Sequence, residues 1–322
     1  MSSDAGPYYC KKGRVYPIRP RCTHRCKTST RRAHWKGPFL VHRHTRSISI
    51  MLLQVPPESP YDWRGDVLGF PVRVAWTFWV IAAAWGYEWA RGLDRAYAQA
   101  GFETPGLALL LAIWVAAMLV SILVHEFGHA LAFRWYGIRS QVVLYHFGGL
   151  AIPEGFGSWR GARLRRLKPT EDLVVALAGP AAQLLLAFAV VAIAVACGYR
   201  PDPWIADLWM KIGLPVPQRW VVPTNASIAA AISFLVTPSI FWAVVNLAPI
   251  LPLDGGRAAQ SIISIVQGGQ GWLEASWLSV FAGALLGMWQ LQTGDRFLGM
   301  MFLILAFSNF QTIQTSGMGR PW

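Results

Sequence analysis

Long apolar stretches separated by short polar ones are the feature that most constrains this chain. A helix needs about 20 apolar residues to cross a bilayer, and lipid-exposed backbone is tolerated only in helices and closed barrels. We therefore predict an all-α polytopic membrane protein with about six transmembrane helices. The last two apolar stretches are the shortest, so counts of five or seven transmembrane helices stay open. The stretches lie near residues 74–90, 107–136, 173–197, 228–247, 277–291 and 297–310.

Composition agrees with a membrane location. The 322 residues are 54% hydrophobic and only 14% charged, whereas soluble domains carry about 25% charged residues. The net charge of +13 is concentrated at one end, because residues 1–50 hold twelve Lys/Arg and one acid. The apolar part of the chain is nearly neutral. This segregation argues against nucleic-acid binding as the function of the body.

Residues 1–60 are predicted to form a basic, disordered tail, because they are rich in Arg, Ser and Pro and lack apolar periodicity. The membrane domain is then 61–322. The tail could be an organellar transit peptide, a basic arm on anionic lipid, or an overextended start. We favour the overextended start, because the character of the sequence changes abruptly at Met51.

The orientation in the membrane follows from the loop between the second and third apolar stretches. This loop contains "WRGARLRRLK" (residues 159–168), and such Lys/Arg-rich loops stay in the cytosol. Both termini are then predicted to be cytosolic. His125 lies about 27 Å along the second helix, so it is expected in the cytosolic part of the membrane.

The motif "HEFGH" interrupts the second apolar stretch. His125 and His129 are four residues apart, so they share one helix face and can bind one metal ion. Glu126 lies beside them, where it could act as a general base. The alternative is a pair of helix-interior histidines hydrogen-bonded to neighbours. Polar residues at membrane depth are costly unless they have a function, so we favour the metal site.

A catalytic zinc ion needs a third protein ligand, and Asp254 is the strongest candidate. It is the only carboxylate between Asp207 and Glu274, and it follows a stretch interrupted by Pro249 and Pro252. If the fourth helix runs inward, Asp254 reaches the same depth as the histidines. The alternative is a loop aspartate that caps a turn.

Together, HEFGH and the later N-x-x-P-x-x-x-x-D-G resemble the site-2 protease family of intramembrane zinc metalloproteases, peptidase family M50. The resemblance implies one Zn²⁺ per chain bound by His125, His129 and Asp254, with Glu126 as the catalytic base. It also implies that Asn246 holds the substrate backbone or the oxyanion. An interhelical hydrogen bond is the alternative role of Asn246.

Two more stretches resemble this family. "SQVVLYHFGGLA" (140–151) resembles its re-entrant β-element between helices two and three, with a turn expected at Gly148 and Gly149. Its edge could pair with an unwound substrate, whereas His146 is expected to be structural or to support a ligand. "ALAGPAAQ" (176–183) resembles the AGP-x-x-N signature. Gln183 stands at the Asn position, so it is a candidate substrate contact.

The predicted function is intramembrane proteolysis of membrane-anchored protein substrates within the lipid bilayer. A quality-control peptidase of the same fold and a non-catalytic metal-binding or transport protein are the alternatives, and Glu126 argues against the latter. The connection from 198 to 225 is too short for a PDZ domain, so we expect the minimal membrane core. The bacterial inner membrane is the expected location, with an organellar membrane as the alternative. The sequence leaves open whether the protein forms a homo-oligomer.

Overall fold

The structure is a computed structural model that describes residues 8–11, 14–17, 57–146, 148–153, 167–200, 202–214, 221 and 223–317. The chain divides into two units, 1–47 and 48–322. In the first unit, β1 (Tyr8–Lys11) pairs antiparallel with β2 (Arg14–Pro17).

Two predictions fall largely outside the described residues. The first is the disorder of the tail, most of which up to residue 56 is not described. The second is the cytosolic location of the basic loop at 159–168, most of which is not described either. Both therefore stay predictions.

The second unit alternates short strands with long helices. Two strands come first, two more lie between the second and third long helices of the unit, and the remainder is helical. Its elements are β3 (Trp63–Val67), β4 (Phe70–Val74), α1 (Trp76–Gln99), α2 (Leu107–Trp135), β5 (Ser140–Tyr145), β6 (Gly148–Pro153), α3 (Pro169–Ala196), α4 (Pro203–Lys211), α5 (Ala226–Asn246), α6 (Asp254–Gln267), α7 (Trp272–Thr293) and α8 (Arg296–Gly317).

All six apolar stretches are helical, and four of them form helices long and apolar enough to cross a membrane. These are α2, α3, α5 and α8. The helices α1 and α7 do not reach that standard, so the count of six spans stays a prediction. Two helices, α4 and α6, were not predicted. They are short, and α6 is amphipathic rather than uniformly apolar.

The sheet is larger than predicted. Two strands, β5 and β6, lie between the second and third apolar helices as expected, whereas the re-entrant character of this element stays a prediction. The strand order is β3-β4-β5-β6, with β4 and β5 parallel. An all-α description was too narrow because β3 and β4 are only five residues long and give a weak sequence signal. Tyr145 pairs with Gly148. Gly148 and Gly149 therefore belong to β6 itself, so the turn expected at the two glycines is not located there.

Helix α2 lies at the centre of this unit, because it contacts α1, α3, α5, β5 and β6. One part of its surface packs into the main apolar cluster, through Leu110, Trp114, Met118 and Ile122. The buried face continues through the HEFGH motif. The same face that packs the core therefore presents the polar residues to α3 and the sheet.

Gly86 of α1 supplies a local test of this packing. A Cβ built on Gly86 would lie 2.1 Å from Cδ1 of Trp114, whose indole donates to the Ala82 carbonyl and stacks on Trp89. We expect Gly86→Ala to destabilise the protein by about 1–3 kcal/mol, because the ring has to move within a packed core. The thermal unfolding midpoint in detergent measures this.

Gly92→Ala is the matched control, because no atom lies within 4 Å of a Cβ at Gly92 in the same helix. It should stabilise by up to about 1 kcal/mol through helix propensity. Equal midpoints for the two variants would contradict the packing described for α1 against α2.

Candidate metal centre and active site

Two turns of α2 and the first residue of α6 bring the three predicted metal ligands together. The Nε2 atoms of His125 and His129 are 3.2 Å apart. Oδ2 of Asp254 lies 3.0 Å from the first of these nitrogens and 3.3 Å from the second. All three residues are buried. The structure thus places one carboxylate oxygen and two imidazole nitrogens at the corners of a nearly equilateral triangle.

The hydrogen bond of His129 to α3 fixes which ring nitrogen carries the proton. Its Nδ1 lies 2.7 Å from the backbone carbonyl of Val175, and a carbonyl oxygen can only accept. Nδ1 therefore donates. In the neutral ring, Nε2 then presents a lone pair to the triangle.

A hydrogen-bonded chain of four polar groups fixes which ring nitrogen of His125 carries the proton. The Ser239 hydroxyl donates to the Leu235 carbonyl, so its oxygen accepts the proton of Ser121, 2.7 Å away. The Ser121 oxygen then accepts from the amide Nε2 of Gln183 at 2.8 Å. This leaves the Gln183 carbonyl oxygen as the acceptor for Nδ1 of His125, at 2.9 Å.

The residues present fit a zinc ion. Two nitrogen lone pairs and a carboxylate oxygen that face one another at 3.0–3.3 Å repel unless a cation lies among them. Zinc bonds of about 2.0–2.1 Å in a tetrahedron place neighbouring ligand atoms about 3.3–3.4 Å apart. His₂-carboxylate is also a common donor set of catalytic zinc. A catalytic zinc ion with three protein ligands keeps its fourth position for water or substrate.

Glu126 lies beside the triangle and against β6. A Cβ built on Gly149 would be 2.4 Å from Cγ of Glu126, so only glycine permits this approach of strand to side chain. The backbone N–H of Ala151, on the same strand, donates to the Glu126 carboxylate. The strand thus holds the carboxylate beside the metal-ligand triangle without making it a member of that triangle.

Tyr145 of β5 is a further polar group near Glu126. Burial, and then the negative charge of Glu126, raise the pKa of the Tyr145 phenol to about 12. The phenol therefore remains a neutral hydroxyl at any ordinary pH.

Glycines also set the distance between α2 and α3. A Cβ on Gly179 would lie 2.2 Å from Nε2 of His129, and one on Gly128 would lie 2.4 Å from the Ala178 carbonyl oxygen. Any larger residue would push α3 away. The Val175 carbonyl could not then reach His129, so the "AGP" segment is required for the site itself.

The predicted substrate contacts and His146 differ in their burial and in their neighbours. Gln183 is fully buried and both ends of its amide are hydrogen-bonded. Asn246 is the half-buried last residue of α5. Gly148 has a φ of 125° and faces Trp242. His146 contacts Thr77 through Nδ1, away from the metal-ligand triangle. The substrate contacts of Gln183, Asn246 and Gly148 stay predictions, and so does the structural role expected of His146.

Four groups near the site were not predicted from the sequence: Ser121, Ser239, Tyr145 and the Val175 carbonyl. Ser121 is four residues before His125, so it lies on the same helix face, and that spacing could have identified it. Ser239 and Val175 belong to other helices and carry no sequence signal that links them to the histidines.

The model of "Peptidase family M50" matches residues 113–289, which is more than half of the chain and includes the five residues His125, Glu126, His129, Asn246 and Asp254. The chain belongs to peptidase family M50. The resemblance drawn from HEFGH and the later D-G motif is thereby confirmed.

Curated relatives of this M50 family member share moderate identity with it. It is 29% identical over 231 residues to "Putative zinc metalloprotease sll0528" of Synechocystis, which covers 69% of this chain and 51% of that protein. It is 27% identical over 202 residues to "Putative zinc metalloprotease Rip3" of Mycobacterium tuberculosis, which covers 62% and 42%. The chain thus spans about half the length of the curated relatives it matches.

Among solved structures, the M50 family member aligns with the "Site-2 Protease from Methanocaldococcus jannaschii". The TM-score is 0.43 and the sequence identity 19%. The alignment covers 79% of this chain and 95% of that one.

The hydrogen-bond chain to His125 generates a prediction about metal affinity. We expect Gln183→Leu to weaken zinc binding by about 10–100-fold, because outer partners of metal-ligating histidines contribute about that much. Competition with a chromophoric chelator measures the affinity. Gln311→Leu, the same change in α8 away from the site, should bind zinc as the parent does. Equal affinities for the two variants would contradict the role of the chain.

Proposed function

We propose that this protein is a zinc metalloendopeptidase of the site-2 protease type, which hydrolyses peptide bonds in or near the membrane-spanning segments of anchored proteins. The observation that carries the proposal is the buried triangle of metal ligands with a carboxylate beside it, on a helix apolar enough to cross a bilayer. One Zn²⁺ per chain is proposed, held by His125, His129 and Asp254.

When bound, zinc supplies a Lewis acid that makes a water molecule acidic near neutral pH and polarises a carbonyl group. Glu126 accepts the proton of the attacking water at its carboxylate and delivers it to the leaving amine nitrogen. The Ala151 N–H holds one side of this carboxylate, so the other side can face the water. Val175 and Gln183 keep the histidine protons on Nδ1, away from the metal.

The substrate must be extended where it is cut, because a helical amide engages its carbonyl in the i to i−4 hydrogen bond. The strand β6 is the last in the sheet among the described residues, and it contacts α2 beside Glu126. We propose that an unwound substrate segment pairs with this edge, as extended peptides do with other sheets. Gly148, Gly149 and Asn246 are then the proposed substrate contacts.

The topology proposed for the enzyme adds α1 and α7 to the four apolar helices, which gives six spans. The basic loop at 159–168 places its side of the membrane in the cytosol, together with both termini and the metal centre. The bacterial inner membrane is the proposed location. Membrane-anchored proteins are the proposed substrates.

Zinc content and cleavage together test the proposed function. Mass spectrometry of detergent-purified protein should find about one zinc per chain in the parent and in Glu126→Gln, and much less in Asp254→Ala. Cleavage of a membrane-anchored reporter should fall about a hundredfold or more in Glu126→Gln, because it lacks the general base. Asp207→Ala should match the parent in both measurements, since Asp207 is exposed and pairs with Lys211.

The two measurements separate the proposal from its alternatives. Equal zinc in all variants would remove Asp254 from the site. Normal zinc in a parent that cleaves no membrane-anchored protein would indicate a metal-binding or transport protein instead. Unchanged cleavage by Glu126→Gln would overturn the proposed base.

Edge pairing predicts a period of two in the substrate. Along a strand, alternate amides face the neighbouring strand. Replacing substrate amides one at a time by esters near the cleaved bond should therefore slow cleavage at every second position. Product formation in detergent measures the rates. Equal effects at consecutive positions would contradict pairing with β6.

A further inference from the structure

The segment between α5 and α6 delivers Asp254 to the metal centre, and α7 and α8 hold this segment by its backbone. It runs from residue 247 to 253. The N–H of Leu251 donates to Oγ of Ser279 in α7 at 2.9 Å. The carbonyl of Leu251 accepts from Nδ2 of Asn309 in α8 at 2.7 Å. One residue of the segment is thus held by two side chains from two different helices.

Both side chains are fixed by their own helices. The Ser279 hydroxyl donates to the Ala275 carbonyl, and Nδ2 of Asn309 also donates to the Leu305 carbonyl. Ser279 is 0% exposed and Asn309 is 7% exposed. Leu251 itself is half-buried, and a backbone group that is shielded from water is destabilised when it loses its hydrogen-bond partner. These two hydrogen bonds therefore favour the observed position of Leu251.

Apolar contacts add to the same restraint. Ile250 is fully buried in a cluster with Leu298, Phe302 and Leu305 of α8. The first turn of α6 packs directly on this segment. A Cβ built on Gly255 would lie 2.1 Å from the Leu247 carbonyl oxygen, and one on Gly256 would lie 2.4 Å from the Ile250 carbonyl carbon. The first turn of α6 therefore rests on the segment backbone with no side chain between.

We propose that Ser279 and Asn309 are positioning residues for the third metal ligand, acting through the Leu251 backbone. The helices α7 and α8, which pack on each other, thereby set the place of Asp254 relative to the histidines of α2. Asn309 lies beyond residues 113–289, which the family model matches. The inference rests on the proposed zinc site, and it assigns α8 a role in that site.

The serines of α7 supply a matched pair for the test. Ser276 and Ser279 are both buried, and each donates to the carbonyl four residues earlier. Only Ser279 also accepts from Leu251. We expect Ser279→Ala to raise the zinc dissociation constant about tenfold, the lower end for outer partners of metal ligands, and Ser276→Ala to leave it unchanged.

A second pair tests α8. Asn309→Leu keeps the size and the apolar character of a membrane helix but removes the donor to Leu251, and we expect a similar loss of zinc affinity. Thr312→Val is its control, because the exposed Thr312 hydroxyl donates only to the Ser308 carbonyl of its own helix. The thermal unfolding midpoint of the metal-free variants shows whether each one is folded.

A readout independent of zinc distinguishes positioning from general destabilisation. In the metal-free protein, hydrogen–deuterium exchange of the peptide that contains Leu251 should accelerate about tenfold or more in Ser279→Ala, and not in Ser276→Ala. Exchange and zinc affinity equal within each pair would overturn the positioning role. Absence of zinc from the parent would instead overturn the metal site itself, whatever the exchange rates.

Discussion

Every buried polar group in an apolar environment needs a partner, and this requirement organises the structure around α2. A single helix carries His125, Glu126 and His129 into the protein interior, where an unpaired polar group costs several kcal/mol in hydrocarbon. Neighbouring elements pair all three: α3 contacts both histidines, α5 closes the hydrogen-bond chain to His125, and β6 contacts Glu126. The arrangement of α3, α5 and the sheet around α2 follows from these pairings and from the apolar core that the earlier part of α2 forms with its neighbours.

Small residues are what allow the partners to come so close. Gly128 and Gly179 let α2 and α3 approach until a backbone carbonyl reaches a histidine ring, and Gly149 lets a strand rest on Glu126. Without a hydrophobic driving force between helices in lipid, close packing of this kind is a main source of helix association. The same glycines thus contribute to helix packing and to the geometry of the site.

The third proposed ligand is held in place in a different way from the two histidines. Asp254 does not belong to a long apolar helix; it begins a short amphipathic one after a proline-containing segment. Irregular backbone at membrane depth is tolerated only where protein or water satisfies its polar groups, and Ser279 and Asn309 do this for Leu251. In the proposed zinc site, α7 and α8 thereby hold the segment that leads to Asp254, whereas the two histidines come from α2.

The sequence by itself determined the local part of this protein. Apolar length specified the helices, and the spacing of His125 and His129 specified their common face, because both depend only on the period of the α-helix. The scarcity of carboxylates then singled out Asp254. Tertiary structure decided the rest: β3 and β4 join a sheet with strands some 70 residues later, and Gln183, Ser121 and Ser239 form one chain across three helices. Such contacts depend on which helices meet and at what distance, and no period within a single segment encodes that.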